Sequence, residues 1–148
     1  MKKSELINFL SFELNKRKNM IDQDLAAIEE SKNNDTKSSM GDKYETSREM
    51  AQAEWNKLME RKGQIQHQIH QLQQIDPNCE HSSIGQGSIV TTQNHYLFVG
   101  IPLGKFHFNH KEWMGISLLS PIGKALEGKK IGDNFTLNNQ VTQILSVN

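Results

Sequence analysis

Two stretches in the first half of the chain place residues at alternating three- and four-residue steps, the spacing that keeps one side of a helix turned toward one partner. The first runs Ile7, Leu10, Leu14, Arg17, Ile21, Asp24, Ile28; the second runs Ala51, Trp55, Leu58, Lys62, Ile65, Ile69, Leu72. Read in reverse against each other, from Ile7 with Leu72 through to Ile28 with Ala51, the facing residue numbers always total 79. A constant total is the mark of one antiparallel hairpin, and it argues against two heptad segments joined in a parallel assembly. Its midpoint falls between Ser39 and Met40, inside a stretch that supplies Ser38, Ser39, Gly41 and Asp42 for a turn. The same register sets Arg17 opposite Lys62, a cationic layer that is tolerable if the charged heads snorkel outward. It also sets Asp24 opposite Trp55, whose bulk is large enough to cover Leu25.

Arms of this length extend roughly 45 Å at about 1.5 Å per residue, so the tip can reach into a deep cavity. Polarity explains why the seam is thin. Only 35% of the chain is hydrophobic, mean hydropathy is −0.65, and the first half is rich in Gln, Asn, Lys and Glu. Such a stretch buries a stripe between helices but no thick core.

Pro77 ends the second helix, because it lacks a backbone donor and disfavours a helical conformation at Asp76. Beyond it the pattern changes to strands. Residues 88–92 and 95–101 are β-branched and aromatic and flank Gln93 and Asn94; residues 114–119 form another strand candidate; residues 134–137 and 140–147 flank Asn138 and Asn139. Between them Ser120 caps, Pro121 begins and Gly128 ends a short helix. The fold class is therefore α+β: an antiparallel helical hairpin over residues 1–76 with its tip near 35–44, a linker over 77–86, and a small antiparallel β domain with a short helix over 87–148.

Charge excludes some functions. Seventeen Lys plus Arg balance 17 Asp plus Glu, so no global basic field marks a free nucleic-acid binder. The hairpin register does gather Lys16, Arg17, Lys18, Arg61 and Lys62 at one level, about 34 Å below the tip. That cluster suits RNA phosphate or an acidic protein surface, although a solvated face balanced by Glu13 and Glu60 explains it as well. A lone cysteine, Cys79, rules out an internal disulfide and fits a reducing compartment, so the cytoplasm is expected. Neither a signal-peptide core nor a membrane-spanning run is expected, and the protein reads as a monomer.

No phosphate-binding glycine loop, nucleophile elbow or zinc spacing occurs, which argues against an autonomous enzyme. His67, His70, Cys79 and His81 invite a metal site, but their spacing does not support one. His107 and His110 lie in the aromatic stretch Phe106 to Trp113, which suits a docking surface but is more simply read as core and loops of the small domain.

The run Ser120, Pro121, Ile122, Gly123, Lys124, Ala125, Leu126, Glu127, Gly128, Lys129, Lys130, Ile131, Gly132, Asp133, placed behind a long helical hairpin, resembles the Gre family of bacterial transcription elongation factors. A weaker likeness surrounds Tyr44 to Glu49. The resemblance implies an FKBP-like second domain that docks at the rim of the RNA polymerase secondary channel, with the hairpin inserted toward the active centre. It also implies a docking role for Ser120, Pro121, Ile122, Lys124, Leu126, Gly128, Gly132 and Asp133, and a tip made of Lys37, Met40, Gly41, Lys43 and Tyr44. In cleavage-stimulating members, tip carboxylates help hold magnesium beside the polymerase's own carboxylates, since magnesium requires hard oxygen ligands. Aligned through Tyr44, Arg48 and Glu49, the two positions that carry Asp and Glu in those members are Lys37 and Met40 here, which argues against cleavage stimulation. Asp35, Asp42 and Glu45 are the nearby acids able to substitute. Each also has an ordinary place, as a helix-end acid, a helix cap and a capping-box partner. The different-class reading is a coiled-coil adaptor that binds another large complex. The fold alone gives no ground for prolyl isomerase activity.

Overall fold

The computed structural model describes residues 2–35 and 41–148, with side chains placed at 2–33 and 45–148. Helix α1 spans Lys3–Asp35 and helix α2 spans Gly41–Gln73, 33 residues each. No Gly or Pro interrupts α1, and Gly63 is the sole such residue in the interior of α2. Both helices therefore run unbroken.

The helices form an antiparallel hairpin. Ile21 and Leu25 of α1 cluster with Leu58 of α2, and Ile28, Trp55 and Ile65 pack against them half-buried. Nearer the joining residues, Lys32 Nζ donates to Gln52 Oε1 at 2.8 Å and sits 5.6 Å from the centroid of the Trp55 ring. Late α1 thus meets early α2, as a reversed register demands. The reversal itself, anticipated between Ser39 and Met40, lies outside the described residues, bracketed by Asp35 and Gly41.

On α2 the stripe follows the sequence spacing: Leu58 and Leu72 are buried, and Ala51, Trp55, Lys62, Ile65 and Ile69 are half-buried. The α1 stripe differs from it in three places. Leu6 is fully buried where Ile7 was expected to face inward, Lys18 rather than Arg17 is half-buried, and Leu25 rather than Asp24 fills the layer beside Trp55. An α-helix turns by 3.6 residues, so a strict seven-residue template drifts around it and the buried stripe picks up the adjacent apolar residue.

The chain forms two compact units, one of residues 12–69 and one of residues 1–11 with 70–148. The second is built on six strands: β1 (Ile89–Thr92), β2 (Tyr96–Val99), β3 (Gly104–Phe108), β4 (Lys111–Ile116), then helix α3 (Pro121–Leu126), then β5 (Asn134–Leu137) and β6 (Gln140–Val147). Their order in the sheet is β3-β4-β2-β1-β6-β5. All neighbours are antiparallel except β2 and β4, which run parallel with Tyr96 opposite Trp113 and Val99 opposite Ile116. The sheet is thus mixed rather than wholly antiparallel.

The parallel pair arises from β3. Residues 106–113 make no loop: Gly104–Phe108 forms the sheet edge, and the chain turns through Asn109 and His110, both at positive φ (51° and 62°). It then returns as β4 between β3 and β2. Asn138 and Asn139 repeat that two-residue turn at φ 51° and 64° to close β5 on β6.

One sheet face packs with α3. Val90, Leu97, Val99, Ile116, Phe135, Leu137, Ile144 and Val147 join Leu126 and Ile84 in a single cluster, with Ile122 and Leu118 half-buried against it. Each fully buried aliphatic side chain contributes about 2 kcal/mol of hydrophobic free energy. Ile84 belongs to the stretch 77–86, read from sequence as a linker. Its amide donates to Lys129 O at 2.8 Å and its carbonyl accepts from Gly128 N at 2.9 Å.

Candidate functional site

Among the five clustered cations, Lys16, Arg17 and Arg61 are exposed, whereas Lys18 and Lys62 are half-buried. Lys62 Nζ lies 2.6 Å from Asp22 Oδ1. This contact sets Arg61 and Lys62 of α2 beside the turn of α1 that carries Lys18. Glu13 and Glu60, the anticipated partners, take no part. Among the described residues, no carboxylate stands within ion-pair distance of Lys16, Arg17, Lys18 or Arg61. The structure therefore sets Lys62 against Asp22, five residues along α1 from Arg17, and leaves the other four cations without a counter-charge among the described residues. Asp22 is the member that sequence spacing overlooked.

The tip is less fully placed. Lys37 and Met40 lie outside the described residues, as do the side chains of Asp35, Asp42, Lys43 and Tyr44, while Gly41 opens α2. Glu45 is exposed on α2.

The stretch 120–133 is held by its own backbone chemistry. Ser120 Oγ accepts from Gly123 N at 3.0 Å and donates to Ser117 O at 2.6 Å, and Pro121 occupies the first turn of α3. Gly123 is obligatory, since a Cβ there would run into the Ser117 carbonyl. Gly128, at φ 82°, takes the left-handed conformation that follows the helix. Asp133 Oδ2 accepts from Lys130 N at 2.8 Å, and Gly132 N donates to Ile144 O at 2.9 Å. Leu126 is fully buried. Ser120, Pro121, Gly128, Gly132 and Asp133 are thus engaged in shaping the element, and Ile122 and Leu126 in anchoring it. Lys124, Lys130 and two apolar side chains face solvent: Leu119 at 83% exposure and Ile131 at 62%. Those two were not singled out by sequence, because apolar residues beside a strand and a turn read as core.

A cavity of about 380 Å³ is lined by His70, Gln71, Ile75, Asp76, Cys79 and His81. Lys3, only 8% exposed, donates from Nζ to Cys79 O at 2.9 Å. Burial lowers the Lys3 ammonium below its usual range, against the opposing pull of Cys79 and Asp76. Burial, and secondly the Lys3 charge, lowers the His81 imidazole as well. Among the described residues, no three of His, Cys, Asp and Glu are arranged to hold a metal ion, and none of the described helices is long and apolar enough to cross a membrane.

No family model matches this chain. A solved structure titled "Structure of the transcription factor Gfh1" is similar over 93% of this chain and 92% of its own, at 19% identity and a TM-score of 0.37.

Proposed function

We propose that this protein is a Gre-like factor that binds RNA polymerase in the cytoplasm and inserts its hairpin tip into the secondary channel to modulate elongation. The observation that supports it is the antiparallel hairpin whose reversal falls between Asp35 and Gly41, combined with the self-capped element from Ser120 to Asp133. In this reading Leu119, Lys124 and Ile131 are the solvent-facing side chains of a docking element. Lys16, Arg17, Lys18 and Arg61, which have no carboxylate partner among the described residues, are available to RNA phosphate.

With Lys37 and Met40 at the tip positions, the factor occupies the channel without promoting cleavage on its own account. Should cleavage occur, Asp35, Asp42 and Glu45 are the carboxylates suited to share the polymerase's magnesium, since that ion takes oxygen ligands. The protein is then an accessory to another enzyme's chemistry.

The test begins with purified core RNA polymerase at low ionic strength. Binding is expected, and charge reversal at Arg17 and Arg61 together should weaken it and flatten its salt dependence. Absence of binding sinks the proposal. A backtracked elongation complex then separates the two modes. Release of short RNA that disappears in the Asp42→Ala, Glu45→Ala double variant means stimulated cleavage; binding without release means regulation by occupancy.

A further inference from the structure

The sheet face opposite the α3 cluster is aromatic. Register places Tyr96, Trp113 and Phe106 in one row across β2, β4 and β3. The Tyr96 and Trp113 rings are 5.3 Å apart, Phe106 and Trp113 stack at 6.2 Å, and Phe108 meets Trp113 edge-on at 6.4 Å. Phe9 of α1 covers Phe108 at 4.9 Å. Trp113 is 2% exposed, and its indole N–H donates to Phe108 O at 3.3 Å.

Part of this face stays open. A cavity of about 230 Å³ has buried Ile89 and Trp113 among its walls, with half-buried Tyr96 and Phe108 and exposed Lys111. Its volume falls below the ~300–1,000 Å³ usual for cofactor and drug-sized ligands and suits a single side chain. Lys111 Nζ is held 4.8 Å from the centroid of the Tyr96 ring, and among the described residues no carboxylate lies within ion-pair distance of it. The neighbouring acid, Glu112, points to the other side of β4 and pairs with Lys105 at 3.7 Å. The notch sets ring edges and Ile89 against Thr91, Asn109 and Asn148, and with the unneutralised ammonium beside it this mixed lining favours an occupant that brings an aromatic group for the rings and anionic charge for Lys111.

Ring geometry narrows the occupant further. A nucleobase needs a free aromatic face, but Trp113 lies between Tyr96 and Phe106, Lys111 covers Tyr96, and Phe9 lies against Phe108. What remains are ring edges, whose positive rim attracts the face of an incoming aromatic side chain.

We propose that this notch docks an acidic segment of a partner polypeptide, seating one aromatic side chain among Tyr96, Phe108 and Trp113 and setting flanking carboxylates against Lys111. This goes beyond the polymerase reading and does not depend on it.

The test uses the full-length protein and a capped pentapeptide with one phenylalanine flanked by two glutamates on each side, read through the Trp113 indole N–H resonance. A saturable shift with a dissociation constant of roughly 0.5 mM is expected, the scale of a single-side-chain anchor. Lys111→Glu should weaken it roughly tenfold or more. Asn148→Trp, a change at the cavity's edge that fills the notch, should abolish it; both positions are exposed, and the dispersion of the amide resonances checks that each variant is folded. The proposal is overturned if no shift appears at about 10 mM peptide, if an alanine-centred peptide gives the same shift, or if both variants bind as the parent does. It is equally overturned if a decamer of uridine, rather than the peptide, produces the saturable response.

Discussion

Lys62 of α2 reaches the Asp22 carboxylate of α1 at 2.6 Å, five residues along α1 from Arg17, the cation that sequence register had set against it. With the two side chains 25% and 40% exposed, solvent screens the pair and its worth is modest. Asp22→Asn is expected to lower stability by about 0.5 kcal/mol, with the difference fading in high salt. Urea denaturation at two ionic strengths measures this directly. The same substitution frees Lys62 and should raise affinity for polyanions.

The two glycines flanking α3 should differ in kind. Gly123→Ala forces a methyl group into the Ser117 carbonyl, a clash against backbone that should cost about 3 kcal/mol. Gly128→Ala meets no neighbouring atom and suffers only from its φ of 82°, which costs about 1 kcal/mol. Thermal melting of the two variants should show the larger loss at Gly123.

Within the hairpin, Leu25 is 5% exposed and Met59 is 45% exposed. Leu25→Ala removes apolar volume from the cluster with Ile21 and Leu58 and is expected to cost about 3 kcal/mol. Met59→Ala should stay within about 0.5 kcal/mol of the parent. Equal losses would contradict the register described for the seam.

His81 titrates below its ordinary value of 6.5 because of burial first and the Lys3 charge second. As pH falls through 6.5, the unfolded chain therefore takes up a proton that the native chain still declines. Stability declines over that interval and levels off below the native value. Lys3→Met removes the neighbouring charge and should move the His81 titration upward, as followed by its imidazole resonances. An unchanged titration would mean that Lys3 has no electrostatic hold on it.

The hairpin was legible because its signal is repeated: Leu58, Ile65, Ile69 and Leu72 each vote for the same face of α2. Single positions were less secure, as Asp24 and Arg17 show, since a neighbouring Leu25 or Lys18 reaches the seam with a small rotation. In the sheet, Asn138 and Asn139 announced their turn, but Asn109 and His110 did not, because histidine at positive φ carries no common turn signature. Missing that turn hid β3, and without β3 the parallel pairing of β2 with β4 could not be foreseen. The basic cluster was visible from register alone, while Asp22 within it was not, because a lone acid on a charged helix face resembles every other solvated acid. The aromatic notch was half visible: the stretch Phe106 to Trp113 offered a docking surface, but the row Tyr96, Trp113, Phe106 assembles from three strands whose order depends on the hidden turn.

Ile84 has a practical corollary for anyone wishing to cut the molecule. A fragment begun at Gly87 would look complete on paper, yet it would leave an isoleucine-sized void in the cluster that holds Leu126 and strip Gly128 and Lys129 of their backbone mates. What reads as a tether is a side wall of the β unit, so dissection that respects the fold must start upstream of it.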